Sequence, residues 1–220
     1  IFYQVTMPSI EEPQQIHSVS VRSLVEFILQ EGDITPGSFQ KPGRAQAGTK
    51  GHKKVQRSRP ESYQSEVEVS FRVTEEELPI EIRGRIDGVD ATLEPVLIEE
   101  IKTTTLALDL VHEDHNPLHW AQAKCYAYIF AQQENLSEVR IHLTYYQLDS
   151  QTEKTFEKDF ALSELEVFSN ALITPYLIWF QKVRERRLQR NQTIEALDFP
   201  YGDYRPGQRD MAVAVYKAIR

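Results

Sequence analysis

From Ser18 to Gln30, Val21, Leu24, Val25 and Ile28 fall at helical spacing, with a serine available as N-cap and Gly32 just past the end, so a helix is predicted. Thr35 to Gly51 holds two prolines and four glycines and reads as a loop, with a helical turn or two recovering around His52 to Gln56. Alternation through Val67, Val69 and Phe71 predicts a strand over Tyr63 to Phe71. A second strand, Pro79 to Val89, alternates through Ile80, Ile82 and Ile86. Val96 to Thr104 is β-branched and apolar, and the short break before it predicts a hairpin that sets Asp87 and Glu100 on facing strands. Pro117 to Gln133 carries a stripe of Trp120, Ala123, Ala127 and Phe130 behind an early proline, the pattern of a helix. Strands follow at Val139 to Leu148 and Lys154 to Phe160, then a long helix from Ser163 to Arg190 despite Pro175. The expected order is helix, three strands, helix, two strands, helix, with no internal repeat.

Composition is that of an ordinary globular chain, 40% hydrophobic and 26% charged, sufficient for one core with a short appendage. Cys125 is the single cysteine, which excludes an internal disulfide, a cysteine-only zinc site and a four-cysteine iron–sulfur cluster in this chain. A reducing cytoplasm is the expected compartment. No stretch reaches the roughly 18 apolar residues of a membrane span, so no membrane partner is expected. The net charge of −8 argues against a polyanionic partner until its distribution is read. Between Asp33 and Glu61 there is no acidic residue, whereas Lys41, Arg44, Lys50, Lys53, Lys54, Arg57 and Arg59 make the segment +7 and leave −15 for the remainder. Such asymmetry fits either a local polyanion-binding face or a solvated loop.

In Glu100-Ile101-Lys102 the carboxylate and the ammonium are two residues apart, so a strand points both to one face and turns Glu99 away. Charges inside an apolar run need a partner or a metal. The neighbouring strand supplies Asp87 between Gly84 and Gly88, which allow close approach. Two carboxylates beside a lysine suit Mg²⁺ or Mn²⁺ and phosphodiester hydrolysis, in which a metal acidifies water and polarises phosphoryl oxygen. On these residues alone a structural salt bridge across a hairpin is the better account.

Gly84-Arg85-Ile86-Asp87, Glu100-Ile101-Lys102 and Gln122 through Tyr126 resemble, in that order, the G-x-x-D, E-x-K and Q-x-x-x-Y motifs of PD-(D/E)XK nucleases of the RecB type. Gly48 followed by His52 resembles the family's first motif. The resemblance spans about Val19 to Leu148. It implies an α/β, restriction-endonuclease-like core with a central mixed β-sheet flanked by helices. It further implies Mg²⁺ or Mn²⁺ held by Asp87, Glu100, the backbone carbonyl of Ile101 and His52. Lys102 would act at the attacking water or scissile phosphate, and Gln122 and Tyr126 beside the site and DNA. Lys50, Lys53, Lys54, Arg57, Arg59 and Arg85 are the expected DNA-contacting cations.

His112, Asp114 and His115 read as a solvated loop, His119 and Trp120 as packing at a helix start, and His142 as a half-exposed strand residue. Glu66 reads as solvent-facing ahead of an added metal carboxylate, and the basic run from Lys182 to Arg190 as a helix terminus or a phosphate contact. Phe199 to Arg209 contains Tyr204-Arg205-Pro206-Gly207-Gln208, followed by an amphipathic pattern through Met211, Val213, Val215 and Ile219. It resembles the segment preceding the ATP-binding loop of DinG-like and XPD-like superfamily 2 helicases, which implies that Arg205 and Gln208 bind nucleotide once a full helicase domain is attached. The expected layout is a nuclease domain over 1–190, with its core at about 18–160 and a C-terminal helix at about 163–190. Residues 191–220 are then linker and helicase start, in a fragment of a nuclease–helicase fusion acting in DNA repair or recombination. The expected activity is exonucleolytic, on single-stranded DNA ends or flaps, leaving a 5′-phosphate. A catalytically inactive nuclease fold that holds DNA for a helicase, and a nuclease acting on RNA, are the alternatives.

Overall fold

The apolar run Val96–Thr104 forms β4, and the alternating run Glu138–Gln147 forms β5, paired with it in parallel from Val96↔Val139 to Thr104↔Gln147. Both are buried on two faces: Leu97 through Ile101 are all buried in β4, and Leu143 through Gln147 in β5. Helices must therefore cover both sides, which is why β4 lacks strict alternation. The computed structural model describes residues 16–31, 43–75, 78–195 and 204–219.

Around this pair the described elements run β1 (His17–Ser20), α1 (Val21–Leu29), α2 (Arg44–Ser58), β2 (Gln64–Glu75), β3 (Leu78–Asp90), β4, a 3-10 turn at Leu108–Leu110, α3 (Pro117–Glu134), β5, β6 (Glu153–Ala161), α4 (Leu162–Glu195) and α5 (Gln208–Ile219). Among the described residues the sheet is mixed and six-stranded, with α1, α2 and α3 packed on its strands, as the α/β reading expects. β2 covers one edge of β3 along nearly its whole length, antiparallel. The other edge of β3 is shared. Parallel β1 takes Ile80 to Arg83, and antiparallel β4 takes Gly88 to Asp90. Gly84 to Asp87 fall in the gap between those two partners, where the sheet divides.

Two expectations change. The helix predicted over Ser18 to Gln30 begins only at Val21, because Val19 is buried opposite Ile82 in β1 and Ser20 accepts the Ser23 N–H at 3.0 Å as N-cap. The predicted C-terminal Gly32, and the part of the predicted loop that includes Lys41, lie outside the described residues. From Arg44 onward that loop is instead helix α2, despite Gly48 and Gly51. A Cβ on Gly51 would stand 2.7 Å from the Thr103 side chain and 3.1 Å from the Tyr146 ring. Glycine thus lets the helix lie directly on β4 and β5, where Val55 packs with Ile101 and Tyr146. Docking outweighs the helix cost of about 1 kcal/mol per glycine.

α3 is buried almost all round, including Trp120, Ala121, Ala123 and every residue from Cys125 to Ala131. Asn116 caps its start, accepting the Leu118 N–H at 3.0 Å, and Asn135 ends it in the left-handed region at φ 54°.

The chain divides into two compact units, 1–178 and 179–220. In the first, α4 buries Leu165, Ser169, Leu172, Ile173 and Tyr176, and the Tyr176 hydroxyl lies 3.0 Å from His17 Nε2. In the second, Gln208 Oε1 accepts the Arg205 N–H at 3.1 Å, and Gly207 turns the backbone at φ 78°. This turn starts α5, whose Met211, Val213 and Val215 are exposed. No helix among the described residues is long and apolar enough to cross a membrane.

Candidate active site

Asp87 sits at the C-terminal end of the gap in β3, one residue before the ladder to β4 resumes at Gly88↔Glu99. Its Oδ2 accepts the Ile101 N–H at 2.7 Å, so a side chain replaces the missing strand pairing. Its Oδ1 lies 3.1 Å from His52 Nδ1. His52 comes from α2, and one turn on, at i+4, Gln56 Nε2 donates to the Asp87 carbonyl at 2.9 Å and to Glu66 Oε1 at 3.0 Å. The helix that was expected to be mostly loop therefore grips Asp87 twice. Gln56 escaped the sequence reading, although its spacing from His52 is the signal that finds it.

Glu100 is 3% exposed and Lys102 beside it is partly buried. Lys102 Nζ lies 2.6 Å from Glu100 Oε1 and donates to Gln122 Oε1 at 2.9 Å. Gln122 Nε2 in turn donates to the Tyr126 hydroxyl at 3.3 Å. The Tyr126 ring returns to β3, covering Gly84 so closely that a Cβ there would lie 2.2 Å from its Cε1. Gly84, Asp87, Glu100, Lys102, Gln122 and Tyr126 are thereby one contact network. Gly84 makes room for a ring rather than for backbone. Gly88 does the same for Tyr63, whose hydroxyl oxygen a Cβ would meet at 1.7 Å and whose ring carbon Cζ it would meet at 1.8 Å.

Burial pushes the Glu100 carboxyl up to about 7; Lys102 opposes the rise and Asp87 adds to it. His52 is held above its ordinary value: burial lowers it, but the Asp87 hydrogen bond and the Asp87 and Glu100 charges outweigh that. Burial likewise drives Tyr126 up to about 12, so it stays a neutral hydroxyl. Two carboxylates, an imidazole and the Ile101 carbonyl are the donor types that hard, oxygen-preferring divalent cations accept. A buried carboxylate paired with Lys102 and lying near Asp87 fits a site completed by added positive charge. In this conformation Glu100 is turned onto Lys102, and among the described residues no three His, Cys, Asp or Glu side chains converge into a metal cage.

A cavity of about 1160 Å³ opens from Asp87, His52 and Tyr126 along the exposed strand surface toward Arg83 and Arg22. Glu66 lines it. It is exposed, as expected, but does more than face solvent: it lies opposite Asp87 between the pairs Ser65↔Gly88 and Val67↔Ile86, at φ 60°. Strain of this kind in a non-glycine residue is held only where neighbours fix it, here Gln56 and Arg85.

The expected DNA-contacting cations separate. Lys53 and Arg85 line the site cavity, Arg57 lines its neighbour, and Lys50 is exposed on α2. Lys54 is hydrogen-bonded to Gln151. Arg59 is engaged within the chain. Its guanidinium turns inward to Glu99, at 2.6 and 3.0 Å, and to Glu153 at 2.8 Å, because the wholly buried Glu99 needs a counter-charge. Glu99 does face away from Glu100, as expected. The residues set aside behave as ordinary ones. His112, Asp114 and His115 are exposed, His119 Nδ1 lies 2.8 Å from the Tyr145 hydroxyl, and His142 lies 2.6 Å from Glu157. Burial drives the His119 imidazole down to about 3, so it is neutral.

No curated protein matches the chain. A solved structure titled "Crystal structure of SSO0001" is 18% identical, with 74% of this chain and 79% of that chain covered and a TM-score of 0.46. PD-(D/E)XK nucleases generally use divalent metals such as Mg²⁺. The sequence model of the PD-(D/E)XK nuclease superfamily matches residues 12–207, nearly the whole length, and the chain belongs to that superfamily.

Proposed function

We propose that this chain is a DNA nuclease of the RecB type, using Mg²⁺ or Mn²⁺, in which Asp87, Glu100, His52 and the Ile101 carbonyl hold the metal. The observation that carries this reading is that Asp87, on the cavity wall, accepts the Ile101 N–H between Glu100 and Lys102, and that contacts run on from Glu100 through Lys102 and Gln122 to Tyr126, which lines the same cavity. A divalent cation bound there supplies Lewis-acid polarisation of the phosphoryl oxygen and acidification of water. Asp87 is kept in position by the Ile101 N–H and by His52, so its carboxylate is preorganised. Lys102, steered by Gln122, presents an ammonium that orients water and offsets charge developing on the scissile phosphate. Tyr126 and Gln122 hold the α3 side of the site against β3.

The substrate we favour is single-stranded DNA, at ends or flaps, digested exonucleolytically to 5′-phosphorylated products. The tail supports a setting beside a helicase in DNA repair or recombination, with Arg205 and Gln208 contributing to nucleotide binding only as part of that longer protein. The test is digestion of end-labelled single-stranded DNA with Mn²⁺, with EDTA and a matching RNA as parallel arms. Cleavage of DNA that EDTA abolishes is the expected result. Cleavage unaffected by EDTA sinks the metal assignment, and DNA binding without cleavage in saturating Mn²⁺ leaves only a DNA-holding module.

Gly84→Ala tests the role of the Tyr126 ring. The added methyl displaces the ring, and with it the hydroxyl that meets Gln122 and the chain that steadies Lys102. Outer-shell disturbances of this type cost about 10–100-fold in activity. That loss is expected in initial rates with the melting cooperativity retained, and a wild-type rate refutes the role.

A further inference from the structure

Beside the site cavity lies a second one of about 580 Å³, and Thr49, Lys53, Glu66 and Arg85 line both. Arg57 belongs to the second cavity alone. Thr49, Lys53 and Arg57 are successive i, i+4 positions, so one edge of α2 delivers all three to it. The adjoining edge of the same helix delivers His52 and Gln56 to Asp87. The two cavities are therefore held in fixed relation by one helix.

The cations here differ from their neighbours. Arg59 and Lys54 are occupied by partners within the chain, whereas neither Lys53 nor Arg57 makes an ion pair or side-chain hydrogen bond among the described residues. Arg85 pairs with Glu66 at 2.6 Å, and Glu66 is the one carboxylate on the cavity wall. Lys53, Arg57 and Arg85 against Glu66 give the pocket a net charge of +2. Ser65 adds a hydroxyl to the wall.

We propose that this second cavity is a phosphate-binding subsite, seating a phosphate group of the nucleic acid while the scissile bond lies at Asp87. This rests on the nuclease reading for its orientation but not for its chemistry. Two sources share that chemistry, a terminal phosphate monoester and an internal phosphodiester. The charge favours the terminal one, since a monoester carries about −2 at pH 7 and matches the pocket. A subsite that holds a terminal phosphate would set the enzyme's starting point at a phosphorylated end.

The test uses the full chain in EDTA, so that binding is read without cleavage, on fluorescent single-stranded oligonucleotides carrying a 5′-phosphate, a 3′-phosphate or hydroxyls at both ends. Wild type is expected to bind one phosphorylated form about tenfold more tightly than the hydroxyl form, and Lys53→Gln/Arg57→Gln to bring that ratio to about one. Equal affinities in wild type, all weakened about tenfold by the double variant, place an internal phosphodiester in the pocket instead. A double variant that keeps the wild-type affinities and ratio overturns the subsite. Thermal melts confirm that both proteins are folded. Failure of the nuclease reading is seen separately, as absence of Mn²⁺-dependent digestion by wild type.

Discussion

Asp87→Asn is expected to lower Mn²⁺-dependent DNA cleavage by about 10³-fold or more while leaving the thermal midpoint within a few degrees of wild type. Asparagine keeps the size of the side chain, and its carbonyl oxygen can still accept the Ile101 N–H, so the join between β3 and β4 persists. What it loses is the negative charge that the metal assignment requires. His52 loses its anionic partner as well. Lys102→Ala is expected to fall in the same range, by removing the ammonium that Gln122 steers and the ion pair that Glu100 makes with it. The measurement is the initial rate on labelled single-stranded DNA, alongside melting curves. Activity within tenfold of wild type in Asp87→Asn would falsify the assignment of Asp87 as a metal ligand. An equal collapse of the melting transition would instead assign Asp87 to the architecture of the split sheet.

The largest effect on stability is expected at Arg59. Glu99 is wholly buried and accepts from Arg59, from Tyr63 at 2.8 Å and from Thr144 at 2.5 Å. Burial pushes its carboxyl upward, yet these donors and the Arg59 charge outweigh burial and hold it below the usual range. The carboxylate is therefore charged in the fold at neutral pH. Removing Arg59 strands that charge, and breaking a buried pair from one side costs about 3 kcal/mol or more. For a chain of this size Arg59→Met should lower the melting temperature by about 6–12 °C. Because Arg59 also ties the end of α2 to β4, the loss loosens the helix that brings His52 and Gln56 to Asp87. The double variant Arg59→Met/Glu99→Gln should recover a large part of the deficit, since the neutral amide no longer needs a counter-charge. A single variant melting within 2 °C of wild type is the contrary result.

Local spacing on its own determined which side chains share a face. Two-residue spacing put Glu100 and Lys102 together and turned Glu99 away, and four-residue spacing aligned Gln122 with Tyr126. These relations need only the periodicity of a strand or helix, so they survive whatever the element packs against. The strands from Gln64 to Ala161 and the helices α3 and α4 were legible for the same reason, being long and strongly patterned.

The tertiary structure decided the rest, because each remaining feature depends on partners far away in the chain. β1 and β4 divide one edge of β3, and only that division leaves Asp87 in a gap where its side chain can take the Ile101 N–H. Gly48 and Gly51 read locally as helix breakers, but their lack of a Cβ is what lets α2 dock on Thr103 and Tyr146. The basic segment illustrates the limit most directly. Along the sequence its lysines and arginines are equivalent, yet a buried carboxylate at Glu99 draws Arg59 inward while Lys53 and Arg57 stand at a cavity wall, unpaired among the described residues. Spacing fixes the direction in which a charge leaves its own element, and the long-range pairing of elements fixes what it meets there.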